Sequence, residues 1–174
     1  DGQGRACIYA LTTVDVIVDV NGWLPDGVFD PLPAPQRIAD TRSNGETVDG
    51  ASEGGGAVGA GKVLTVGVAG RAGIDADAAT AVLNVTVTDP SGPGYVTVYA
   101  CDVTRPVASN LNYAAGDVTA NSVVAKLDGQ GRICLYTLAS ANLIVDVSGS
   151  LAGDYFTGLP SPKRLVDSRA GHAT

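Results

Sequence analysis

The run Gly56-Ala-Val-Gly-Ala-Gly61-Lys62-Val63 nearly spells a phosphate-binding loop. In such a loop glycine amides cradle the phosphates, the lysine reaches them, and a Ser or Thr after it holds Mg²⁺. Val63 has no hydroxyl, and Val63-Leu-Thr-Val-Gly-Val reads as a strand where a helix N-terminus should face the phosphates. A Gly-rich surface loop is the better reading. His172 is the only histidine, too few for a Ser-His-Asp arrangement or a histidine-based zinc site, and Cys7, Cys101 and Cys134 lack zinc spacing. Asp75 with Asp77, and Asp15 with Asp19, are the nearest carboxylate pairs, but nothing sets two acids across a cleft. Asp75-Ala-Asp77 would suit a Ca²⁺ loop and suits a solvated turn better. The residue types therefore point to no catalytic group, no metal and no cofactor.

Sugar binding is the more serious chemistry. Tyr95, Tyr99, Tyr113, Tyr136 and Trp23 are candidate platforms, although alternating tyrosines also fit cross-strand packing. Asn84 and Thr86 oppose Leu83 and Val85 along one strand, and Asn110 and Asn112 flank Leu111. These four polar residues are the expected glycan face. Asn84-Val85-Thr86 is also a formal glycosylation sequon.

The elements that carry these residues are repeated. Asp128 to Arg169 is a gapless second copy of Asp1 to Arg42 at an offset of 127 residues, with 21 of the 42 aligned positions identical. DGQGRACIYALTTVDVIVDVNGWL returns as DGQGRICLYTLASANLIVDVSGSL, and LPAPQRIADTR as LPSPKRLVDSR. Fixed-offset similarity is the mark of a tandem repeat, so the chain reads as a window on a longer repetitive protein. One period earlier, His172 is Gly45 and Trp23 becomes Ser150 one period later, so neither marks every unit. Cys7 and Cys134 are one position in two copies. A Cys101–Cys134 disulfide in each unit, with Cys7 paired in the preceding one, accounts for all three cysteines, and disulfides point to an oxidising compartment.

The composition is 45% hydrophobic and 17% charged with 23 glycines, enough to fold and rich in turns. A net charge of −7 without any basic run excludes nucleic acid as an expected partner. No apolar run approaches the roughly 18 residues of a membrane span, so membrane insertion is not expected either.

In chain order, residues 1–24 read as the C-terminal hairpin of a preceding repeat, with strands Arg5 to Leu11 and Val14 to Val20. Residues 25–36 carry four prolines and read as a stiff extended linker rather than an element. Residues 37–151 form the complete unit, 152–163 the next linker and 164–174 the start of a further repeat. Phe29 with Pro33 and Pro35, and Phe156 with Pro160 and Pro162, are the expected linker anchors, each aromatic pinning its linker to a neighbouring domain. Asp40 with Arg42, and Asp167 with Arg169, are expected ion pairs, since buried charges need partners. Residues 43–62 are expected as a long surface loop. Runs at Val63 to Val68, Ala81 to Thr88, Tyr95 to Ala100, Ala108 to Tyr113 and Ser122 to Leu127 follow, then the hairpin Arg132 to Leu138 and Leu143 to Val147. About seven short strands with no helix predict an all-β antiparallel sandwich, immunoglobulin-like or jelly-roll.

The succession RIADTR, LTVGVAG, AVLNVTV, GYVTVYAC, ASNLNY, NSVVAKL, GRICLYTL and LIVDVSG resembles a domain repeated in large secreted actinobacterial proteins. The resemblance implies an extracellular accessory or structural β-domain and brings no catalytic residues. The expected function is a non-enzymatic repeat of an extracellular fibre, stalk or adhesin, docked head to tail, with neighbouring copies as partners. The alternative is a carbohydrate-binding module attached to a secreted enzyme, with surface glycan as ligand.

Overall fold

A computed structural model describes residues 5, 7–20, 22–153, 156–159 and 162–168. Eight strands form: β1 Phe29–Asp40, β2 Val63–Gly67, β3 Thr80–Thr88, β4 Gly94–Ala100, β5 Leu111–Tyr113, β6 Val118–Lys126, β7 Arg132–Thr137 and β8 Asn142–Leu151. They make two antiparallel four-stranded sheets, β1-β8-β3-β6 and β2-β7-β4-β5. First pairs with last, second with seventh, third with sixth and fourth with fifth. This nested pairing is the jelly-roll order, which decides between the two sandwiches that the strand spacing allowed. Period-two alternation explains the core. Leu83, Val85 and Val87 of β3, Val96 and Val98 of β4, Ile133 and Leu135 of β7, and Leu143 and Val145 of β8 turn inward, essentially without exposure.

Three expectations are corrected. The proline-rich stretch is not a connector throughout: from Phe29 onward it is β1, an edge strand on β8. The ladder runs Phe29–Leu151 to Pro31–Gly149, breaks, and resumes from Gln36–Val147 to Asp40–Ile144. Pro33 and Pro35 lie in the break, where a missing N–H costs no ladder bond, and an edge strand tolerates such gaps. The expected hairpin 132–147 is not one, because β7 and β8 lie in opposite sheets. Each is a central strand needing a neighbour on both edges, so the short link between them crosses from sheet to sheet. Its copy, the expected hairpin of residues 1–24, forms no strand among its described residues, and Val16, Ile17 and Trp23 are 53%, 88% and 90% exposed. Those segments copy two central strands, which in the complete unit are paired on both edges by strands that lie outside the hairpin.

The Gly-rich stretch after Thr41 is irregular, as expected, yet it is tied down. Arg71 holds both carboxylate oxygens of Asp49 at 2.7 Å and donates to the carbonyls of Gly67 and Ile38. Thr47 bonds Glu53, and Val58 bridges to Ala141. Side chains supply the order that the glycines cannot.

Candidate interface

β1 brings two sites together on β8. At one end, Phe29 packs over Gly149: a Cβ added there would meet the Phe29 ring at 2.6 Å and the Asp30 carbonyl oxygen. The glycine is the seat of the aromatic. The Ala152 amide donates to the Val28 carbonyl at 2.9 Å, and its carbonyl accepts from the Phe156 amide at 3.3 Å. The chain thus enters and leaves the sandwich at one corner.

At the other end, Asp40 is fully buried. Arg42 donates to it from Nε (2.9 Å) and Nη2 (2.6 Å), and Arg37 donates from Nη1 (3.3 Å). The Arg42 guanidinium holds the Asp40 carboxyl below its ordinary range against the opposing effect of burial. Arg37 also reaches Asp146 of β8 at 2.9 Å, so the cluster clamps β1 to β8. The Asp40–Arg42 pair is where the sequence put it; Asp146 and Arg37 were missed because pairing across strands has no local signal. In the second copy Asp167 accepts from Arg164 at 3.1 Å, while Arg169 and Pro160 lie outside the described residues.

The two aromatic anchors end up in different places. Phe29 sits on β8, whereas Phe156 lines a cleft with Leu159, Pro162, Val98, Tyr99 and Val124. Both bind the same unit.

The disulfide joins Cys101, just past β4, to Cys134 of β7. Cys7 is exposed and free. The bond anchors the 102–110 loop over the outer face of the second sheet, where Ala108 accepts from Thr97 Oγ1 and Asn110 Oδ1 accepts from the Val98 amide. From this loop Arg105 stacks on the Tyr136 ring at 3.9 Å and reaches the Tyr95 hydroxyl at 3.3 Å, while Tyr95 and Tyr136 lie 5.9 Å apart. Burial raises the neighbouring Tyr99 hydroxyl's pKa. Tyr113 is core: it is buried and shares a 2.7 Å hydrogen bond with Thr137.

The expected glycan face is split. Asn84 and Thr86 lie on β3 of the first sheet, whereas Asn112 is on β5 of the second and Asn110 just precedes it. Asn110 holds the backbone with its Oδ1 and borders the Phe156 cleft, while Asn112 opens onto a different cleft, beside Tyr95, Val107, Ser109 and Arg164. Alternation told which side of its own strand each residue takes, not which sheet owns the strand. The near-phosphate loop spends amides on its own backbone, Gly56 to Thr41 and Gly61 to Thr137, and strand β2 follows. Asp75 and Asp77 are exposed, and among the described residues no three metal-ligating side chains converge. No helix among the described residues is long and apolar enough to cross a membrane. No protein-family model matches the chain, and no curated protein is similar to it in sequence.

Proposed function

We infer that the chain is a non-enzymatic structural module: tandem, disulfide-stapled jelly-roll units of an extracellular fibre, stalk or adhesin, with neighbouring copies as partners. The observation that supports this most is the spacing between the last strand of one unit and the first strand of the next. The copy of β8 ends at Leu24 and β1 starts at Phe29; β8 ends at Leu151 and the copy of β1 starts at Phe156. Four residues separate successive units, a reach of at most about 14 Å. So short a connector favours units held shoulder to shoulder, in line with the resemblance to repeats of secreted actinobacterial proteins. Because Phe29 and Leu151 are neighbours, successive units hang side by side from a line of corners. An extracellular setting is favoured by the Cys101–Cys134 bond. Electron microscopy of native material, oxidised and then reduced, tests the reading. Regular filaments with an axial repeat of one unit are expected; monodisperse globular particles overturn it.

One observation favours a second reading, a carbohydrate-binding module. Tyr95 and Tyr136 form the aromatic pair that sugar stacking needs, and Tyr95 lines the cleft that Asn112 also lines. Against it, Arg105 occupies a face of Tyr136. A glycan array on the whole chain, repeated with Tyr95→Ala, decides: binding lost in the variant supports this reading, and no binding removes it.

A further inference from the structure

One chain carries two segments whose sequence fits the edge of β8. The first is β1. The second is its copy, Phe156 to Asp167, in which Phe156, Leu159, Pro162, Arg164 and Asp167 stand where Phe29, Leu32, Pro35, Arg37 and Asp40 stand in β1. Both segments meet the chain at Ala152, whose amide donates to the Val28 carbonyl and whose carbonyl accepts from the Phe156 amide. The apolar residues that β1 buries completely, Ile38 and Ala39, return as Leu165 and Val166, which are 84% and 75% exposed. The copy already makes the local bond of the original, Arg164 to Asp167 at 3.1 Å matching Arg37 to Asp40 at 3.3 Å.

We propose that the edge of β8 is an exchangeable docking site whose second occupant is Phe156–Asp167 of the same chain. The inference deepens the structural reading and rests on it, naming the strand through which neighbouring units join. In the exchanged state the copy takes the β1 register, with Phe156 opposite Leu151, Thr157 opposite Ser150 and Arg164 opposite Asp146. The four residues 152–155 become the loop, an ordinary hairpin length. The released β1 stands four residues from Asp15 to Leu24, the copy of β8, whose Asp19 and Gly22 match Asp146 and Gly149. Gly22 and Gly149 share a backbone conformation (φ 158 and 155), and among the described residues nothing lies within 4 Å of a Cβ built at Gly22, whereas one built at Gly149 would meet Phe29. Each β1-type strand thereby passes to the unit before it.

Two effects oppose each other. Arg37 and Asp146 are 109 residues apart in sequence, whereas Arg164 and Asp146 are 18 apart (164 − 146), and the shorter loop costs less entropy to close. Against this, Ala39 is fully buried and Val166 would bring two more carbons into its place, which overpacks the site. In the structure β1 holds this edge.

The test uses the whole chain carrying Cys7→Ser, Asp30→Cys, Ser150→Cys and Thr157→Cys, equilibrated in a thiol–disulfide buffer and mapped by peptide mass spectrometry. Position 150 then reports its neighbour. A 30–150 bond in most molecules and a 150–157 bond in a minority are expected. Adding Val166→Ala should raise the minority about fivefold or more by removing the overpacking. Adding Ile38→Asp should shift the population to 150–157 while the Cys101–Cys134 bond and the β-sheet circular dichroism persist. Absence of the 150–157 bond from all three chains overturns the proposal, as do 150–157 bonds found only between molecules. Unfolding of the Ile38→Asp chain despite an intact copy does the same. Failure here leaves the filament reading standing, because microscopy reads that separately.

Discussion

Phe29 stands opposite Leu151 in the β1–β8 ladder, so the first and last residues of the sandwich are neighbours. A pull on the two ends of the chain therefore opens the ladder one pair at a time, from Phe29–Leu151 inward, instead of shearing all its bonds at once. The disulfide-closed segment lies off that path.

Single-molecule force spectroscopy, pulling from both termini, should show β1 peeling first at a low force that reductant leaves unchanged. After complete unfolding, reduction should lengthen the chain by roughly 110–120 Å, the extended span of the sequence separation of 33 from Cys101 to Cys134. A first event that strengthens or weakens with reductant would put the disulfide in the load path.

Gly149→Val should destabilise the unit by about 1–3 kcal/mol, because the added carbons meet the Phe29 ring and the Asp30 carbonyl. Phe29→Ala should lose less in the Gly149→Val background than in the parent chain. A double-mutant cycle by denaturant unfolding checks the coupling; strict additivity would mean the two residues do not share one seat.

Asp40→Asn should cost about 2 kcal/mol by weakening charge-assisted bonds to Arg37 and Arg42 at a buried position. Asp40 is held low by Arg42, and Asp49 is lowered to about 2, chiefly by Arg71. Burial pushes Asp128 up, but the Arg132 hydrogen bonds outweigh it and hold that carboxyl low. A carboxyl whose folded pKa lies below its unfolded value stabilises fully above the unfolded value and loses that contribution as pH falls through the folded one. The melting temperature should therefore fall from just above pH 4 down to about pH 2 and below, and Arg71→Gln should flatten this fall. Thermal melts between pH 2 and 7 measure both.

Replacing both Cys101 and Cys134 by Ser should cost about 3–4 kcal/mol. It should also free the loop that carries Arg105, uncovering Tyr136. Chemical denaturation gives the stability, and tyrosine iodination with peptide mapping gives the exposure. Unchanged labelling of Tyr136 would mean that the loop holds its place through Thr97 and Asn110 alone.

Several features were legible from the residues. Asp40-Thr-Arg42 announced an ion pair because its partners are two positions apart, and Cys101 with Cys134 followed from counting cysteines against the repeat. Seven of the eight strands were readable from alternation. β1 was not, because Pro31, Pro33 and Pro35 argue against a strand everywhere except at an edge, and only the pairing with β8 reveals that an edge is what they occupy. Arg105 over Tyr136, Arg71 on Asp49 and Arg37 on Asp146 join residues far apart in sequence and left no local trace.

The sequence by itself determined the period, the all-β class, the inward face of most strands and the disulfide. Each follows from short-range pattern or from internal similarity, which need no partner to be read. Only the tertiary structure decided which strands pair: that β7 and β8 part to opposite sheets, that Asn84 and Asn112 face different surroundings, and that a proline-rich stretch closes the first sheet. Alternation fixes the side of a strand that must be buried. The neighbour that satisfies its edge is chosen by long-range closure and packing, as where β1 and not the sequence-adjacent β7 lies beside β8.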